Sequence, residues 1–177
     1  AWLDEHERGD GRGASPQRRD AAARLRALGQ RLLKPGRCLI MGDLWPRSIL
    51  VSARDTLVII DWEFAHFGHP AQDVGHLCAH LWLAWCREPS ERWPAQIEAF
   101  VTSYREHAPE LARDDALWST ASEHFGAEIL ARTVGAFADP TFTDEMIARA
   151  VEVASSAITE PDGGFSSSNF PDHFFVP

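Results

Sequence analysis

The sequence predicts an α+β fold that is mostly α: one helix, a small β-hairpin, then a helical bundle. Three observations predict it. A proline-started helical pattern stops at Pro35-Gly36. Two short runs rich in Val, Ile and Leu flank a polar turn at Arg54-Asp55. From Asp73 onward, apolar residues recur at helical rather than alternating spacing.

Residues 1–14 are polar and Gly-rich (RGDGRG) without a period, which predicts a flexible leader. Gly9, Gly11 and Gly13 superficially resemble a phosphate-cradling loop, but such a loop follows a strand and none precedes Gly9. Ser15-Pro16 starts the first helix, a capping hydroxyl followed by proline at the first helical position. Leu25, Leu28 and Leu32 follow at helical spacing, with Arg18, Arg19 and Arg26 on the solvated face.

Residues 38–73 carry the candidate chemistry. A loop bearing Asp43 leads to a strand over 49–53, a turn, and a return strand over 56–60 that ends at Asp61. Antiparallel pairing puts the entry of the first strand and the exit of the second at the same end. Asp43, Asp61 and the Ser48 hydroxyl are therefore expected to converge beside one exposed edge. Oxygen ligands next to a free carboxylate suit Mg2+ and proton acceptance from a hydroxyl. Asp61 and Glu63 alternate along a segment that reads as extended, so they are expected to face opposite sides.

After Asp73, Val74, Leu77, Cys78, Leu81 and Trp85 share one stripe of a helix ending near Glu88-Pro89. Further helices are expected over 90–107, with Trp93, Ile97, Phe100, Val101 and Tyr104 inward, and over 114–137, with Leu117, Trp118, Ala121, Phe125 and Ile129 inward. A last helix over 143–158 buries Met146, Ile147, Ala150, Val151 and Ala154. Residues 159–177 are rich in Gly, Ser and Pro yet hold four phenylalanines, a tail that either drapes, docks on a partner or stays disordered. The expected organisation is a leader (1–14), a body (15–158, with loops at 38–73 and helices at 74–158) and a Phe-rich tail.

A net charge of −9 and a pI near 5.3 argue against nucleic acid or an acidic membrane as partner. Cys38, Cys78 and Cys86 form an odd set without CxxC spacing, as expected of reduced thiols in a cytoplasmic protein. No apolar run approaches the ~20 residues of a membrane span. Glu98, Glu106, Glu110, Asp114 and Asp115 make the helical half acidic, which is either a solvated face or a preference for a cationic substrate. Asp73, His76 and His80 follow i, i+3, i+7 spacing, with His66 and His69 upstream. A zinc site is one reading, although the two helical histidines flank an apolar stripe and no HExxH order or cysteine cluster supports it. His66 and His69 lie where a polar residue could meet a substrate. Trp45 and Trp62 flank the site as packing residues, or for Trp45 as a stacking surface.

Met41-Gly42-Asp43-Leu44-Trp45-Pro46-Arg47-Ser48-Ile49-Leu50-Val51, then Ile59-Ile60-Asp61-Trp62-Glu63-Phe64-Ala65 and Pro70-x-x-Asp73, resembles the C-terminal lobe of the aminoglycoside phosphotransferase/choline kinase family. These are small-molecule kinases of protein-kinase-like fold, and the resemblance spans roughly residues 16–158. It implies that Asp43 is the catalytic aspartate at the substrate hydroxyl, and that Asp61 and Ser48 hold Mg2+ on ATP. It also implies that Asp73 supports the catalytic loop and that Leu50 and Ile60 floor the adenine pocket. Met41 stands where the family has His, and Ser48 where it has Asn. The methylthioribose kinase branch is similar in having Ser at that place, and its Asp-x-Glu-Phe-Ala segment and the stretch Gly126-Ala127-Glu128-Ile129 resemble this chain.

The family's N-terminal lobe, with its Gly-rich loop and strand lysine, has no counterpart in the pattern. The only lysine, Lys34, sits at a helix end. The chain is expected to be weak or inactive alone: a fragment or truncated gene product, a chain that needs a partner chain supplying that lobe, or a relict that keeps the fold without the activity. Three readings stand: an ATP- and Mg2+-dependent kinase for a small-molecule hydroxyl (aminoglycoside, choline or methylthioribose-like), a non-catalytic pseudokinase or binding module from a truncated gene, and a zinc hydrolase.

Overall fold

The computed structural model describes residues 16–36, 38–54 and 56–161. The expected leader lies outside them, as does all but the start of the Phe-rich tail. Helix α1 (Pro16–Leu32) begins where the serine–proline signal puts it. Its inward face differs from the leucine stripe, for Ala21, Ala22 and Leu28 are buried while Leu32 faces out. Small residues on that face let α1 lie against the last helix.

The expected single hairpin is half of the β structure. Strands β2 (Ile49–Val51) and β3 (Leu57–Ile59) pair antiparallel, Leu50 opposite Val58. They are shorter than expected because Ser52 takes over the turn. Its amide donates to the Thr56 carbonyl (2.9 Å) and its hydroxyl accepts from the amides of Arg54 and Thr56. A second ribbon, β1 (Cys38–Ile40) with β4 (His66–Gly68), closes around the first, Ile40 opposite His66. Three-residue strands ending in His and Gly carry no readable alternation, so this ribbon left no signal in the pattern.

The helices follow as α2 (Ala71–Arg87), α3 (Arg92–His107), a short α4 (Pro109–Ala112) that the pattern did not announce, α5 (Asp115–Thr133) and α6 (Asp144–Thr159). Asp114 and Thr143 cap α5 and α6 through side-chain oxygens that accept from Ala116 and Met146 amides. Helix α5 stops short of residue 137 because the Gly135 amide turns back to the Leu130 carbonyl (2.8 Å), and Phe137 is left exposed. The core is helical. α2 packs on α5 and α5 on α6, and α2 is buried nearly all round, with Trp82 edge-on to Phe125. Gly75 permits this contact, since a Cβ there would stand 2.5 Å from the Ala121 carbonyl oxygen. The β2–β3 ribbon lies outside that core: Leu50, Val51, Leu57, Val58, Ile59 and Ile60 are all exposed.

Candidate functional site

The two ribbons hold two loops side by side. β1 runs into the loop that carries Asp43, and β4 receives the loop that carries Asp61. The pairing of Ile40 with His66 brings both loops to one end. Gly42 makes the turn at φ +84°, and a Cβ in its place would lie 2.6 Å from the Phe64 carbonyl oxygen of the neighbouring loop.

Helix α2 fixes the Asp43 loop from below. The Asp73 carboxylate accepts the Met41 amide on one oxygen (2.8 Å) and the Gly42 amide on the other (2.9 Å). Gln72 donates its side-chain amide to the Gly42 carbonyl at 2.7 Å. Three backbone groups of Met41 and Gly42 are thus satisfied from one helical turn. Charge-assisted bonds of this kind are about twice as strong as neutral ones. Met41 is buried beneath the loop, its sulfur 3.8 Å from the Ser48 hydroxyl. An apolar brace stands here in place of a polar one.

Asp43 itself is half-buried and faces a charged cluster. Arg132 on α5 sits between two carboxylates, its Nη2 3.6 Å from Asp43 and its Nε 2.6 Å from Glu128. His80 Nε2 lies 3.1 Å from the same Glu128 oxygen and His76 Nε2 lies 4.0 Å from the other, close enough for charge interaction though neither ring N–H lines up as a hydrogen bond. Burial alone would raise the Glu128 carboxyl, but His80, His76 and Arg132 outweigh it and hold it down to about 2. Burial shifts His76 below its ordinary value, against the opposing pull of the nearby carboxylates. His124, edge-on to His76, is pushed down to about 3 by burial and by that neighbour.

This arrangement differs from the histidine grouping that spacing suggested. Both Asp73 oxygens are engaged with the loop backbone, so Asp73, His76 and His80 do not form a ligand set. His80 instead meets Asp43 and Glu128, whose ligand atoms all lie within 4.8 Å of one another. The Arg132 guanidinium supplies the cation among them. His66 and His69 are engaged locally, His66 Nδ1 with the Phe64 carbonyl and His69 Nδ1 accepting from the Ala71 amide.

On the other loop, Asp61 is exposed and adopts φ 72°, ψ 46°, the left-handed region that side chains other than glycine rarely enter. Strain of this kind costs about 1–3 kcal/mol and concentrates at functional positions. Its carboxylate has no hydrogen bond or ion pair among the described residues. Trp62–Phe64 is a single 3-10 turn rather than an extended segment, so the expected alternation of Asp61 and Glu63 does not arise. Ser48 is buried, its hydroxyl donating to the Trp45 carbonyl at 2.7 Å. The Ser48 carbonyl accepts the Ile60 amide (2.9 Å), which makes Asp61 the next residue beyond Ser48 across the ladder. Period-two alternation puts Leu50, Val58 and Ile60 on one exposed ribbon face.

Sequence reasoning missed Glu128 and Arg132 as members of the site. The available signal was a carboxylate inside the otherwise apolar α5 stripe, four residues before an arginine. A buried carboxylate demands a partner.

The model of the Phosphotransferase enzyme family matches residues 1–124. No curated protein matches the chain.

Proposed function

The chain belongs to the phosphotransferase enzyme family, and from that premise we propose that it catalyses ATP- and Mg2+-dependent phosphorylation of a hydroxyl on a small molecule. The observation that carries the reading is the two-oxygen clasp of Asp73 on the Met41 and Gly42 amides, which fixes the backbone of the loop that carries Asp43. A carboxylate held this way, with no hydrogen bond of its own to backbone, suits acceptance of a proton from an attacking alcohol. The acceptor oxygen bonds to the γ-phosphorus as the bond to the β,γ-bridging oxygen breaks, and the hydroxyl proton passes to Asp43. Catalysis of this transfer is mostly positioning and charge compensation.

Bound Mg2+ would neutralise the developing phosphate charge. The fit of the residues rests on Asp61, an unengaged carboxylate held in a strained backbone conformation beside the Asp43 loop. Ser48 serves as the second ligand only once its buried hydroxyl oxygen is opened to the metal, for donation to the Trp45 carbonyl still leaves it lone pairs. Leu50 and Ile60 offer an apolar floor for adenine on the open ribbon face. Cover for that face, in this proposal, comes from a strand-rich partner carrying a Gly-rich loop and a lysine; the chain's own Lys34 follows the end of α1.

The test is Mg2+-dependent ADP formation by protein expressed with the flanking coding sequence of its gene. Asp61→Asn is expected to shift the Mg2+ concentration for half-maximal rate upward at least tenfold, in line with loss of a charged ligand. An unchanged Mg2+ dependence removes Asp61 from the metal role. A non-catalytic reading draws on Ser48 alone, whose hydroxyl is engaged inside the loop; it requires that no ADP forms at any Mg2+ concentration.

A further inference from the structure

Resting on the phosphotransferase reading, we propose that the acceptor is a hydroxyl-bearing anion with a ring-sized apolar body, rather than a cation. A cavity of about 460 Å3 opens beside the Asp43 cluster, lined by Trp45, Arg47, Arg87, Trp93, Arg132 and Phe137 among others. Arg132 belongs to both the cavity wall and the cluster, so a molecule seated there can present a hydroxyl toward Asp43. The volume suits one ring and its substituents.

Three aromatic rings around a cavity can form a cage for a quaternary ammonium or protonated amine, provided their faces are bare. Each of these rings already carries a guanidinium. The Arg47 guanidinium lies 5.6 Å from the Trp45 ring centre, Arg92 lies 4.1 Å from that of Trp93, and Arg132 lies 5.5 Å from that of Phe137. The carboxylates are taken as well. Asp139 on the cavity wall receives Arg87 at 2.5 Å and both the amide and the hydroxyl of Thr141. Asp43 and Glu128 share Arg132. A cationic guest would find the described carboxylates of the wall and cluster already paired, the rings already holding guanidiniums, and three arginines around it.

An anionic guest finds the opposite. Arg47 is exposed and makes no ion pair among the described residues, so its planar fork of donors is open to a carboxylate or phosphate. Arg87 stands on the same wall with one carboxylate partner. The acidic residues that suggested a cationic substrate lie elsewhere. Glu98, Glu106 and Glu110 are exposed on α3 and α4, and Asp114 caps α5.

A trio separates the possibilities: para-(hydroxymethyl)benzoate, benzyl alcohol and para-(hydroxymethyl)benzylamine, which share ring and hydroxymethyl group and carry at the para position a carboxylate, hydrogen or an aminomethyl cation. Their binding to the full chain is measured by calorimetry without ATP. The benzoate is expected to bind at least tenfold tighter than the benzylamine, with the neutral alcohol between. Arg47→Ala, an exposed change expected to leave the melting temperature unaltered, should cost the benzoate about tenfold and leave the alcohol unchanged. Equal or tighter binding of the amine overturns the proposal, as does a benzoate affinity indifferent to Arg47→Ala, or binding by none of the three. Because no ATP is present, failure of the acceptor class is read separately from failure of phosphoryl transfer. Turnover with a preferred amine refutes only the former; anion preference without turnover refutes only the latter.

Discussion

Asp73 touches no group placed near the reaction, yet it holds two consecutive amides of the Asp43 loop. Asp73→Ala leaves both donors without that acceptor, and an unsatisfied buried donor costs about 1–3 kcal/mol. The expected result is a lower melting temperature together with a fall in kcat, whereas a purely structural role would lower only the first. His124 yields a pH prediction. Its folded value lies near 3, below the ordinary 6.5, because burial and His76 disfavour its charged form. A depressed group contributes stability above its unfolded value and loses it as pH falls toward the folded one. Between about pH 7 and pH 5 the loss is on the order of 2 kcal/mol. His124→Gln should flatten the dependence of unfolding free energy on pH in that window; an unaltered slope refutes the assignment. At this scale Asp43, Asp61 and Asp73 were legible because their spacing falls into one motif. Glu128 and Arg132 were not, because their meeting with Asp43 and His80 depends on how α5 crosses α2.

Among the elements, the α2–α5 contact sets the cleft, since His80 comes from one helix and Glu128 and Arg132 from the other. Gly75→Ala places a methyl group 2.5 Å from the Ala121 carbonyl oxygen and 2.7 Å from the His124 Cβ, both parts of a packed helix. Overpacking of this kind costs about 1–3 kcal/mol. Chemical denaturation should show that loss, with a fall in activity as His80 and Glu128 separate; a neutral variant would mean the helices yield freely. The long helices were readable from period and caps, whereas the β1–β4 ribbon was not. Strands of three residues are too short to alternate, and their pairing closes over the intervening residues 41–65.

Over the whole molecule, the apolar material divides in two. The helices bury theirs, while the β2–β3 ribbon exposes Leu50, Val58 and Ile60 on one face. Val58→Asp should therefore alter stability by no more than about 0.5 kcal/mol, as exposed changes do, while weakening ATP binding if that face floors the adenine site. A large stability loss with unchanged nucleotide affinity contradicts that assignment. The central claim is that Asp43 takes the acceptor proton in phosphoryl transfer. Its most direct test is the rate of ADP formation with Mg2+ and an alcohol acceptor, wild type against Asp43→Asn, each with its melting temperature. A fall of about 10²–10⁴-fold at unchanged melting temperature is predicted, and a variant as fast as wild type would contradict the account.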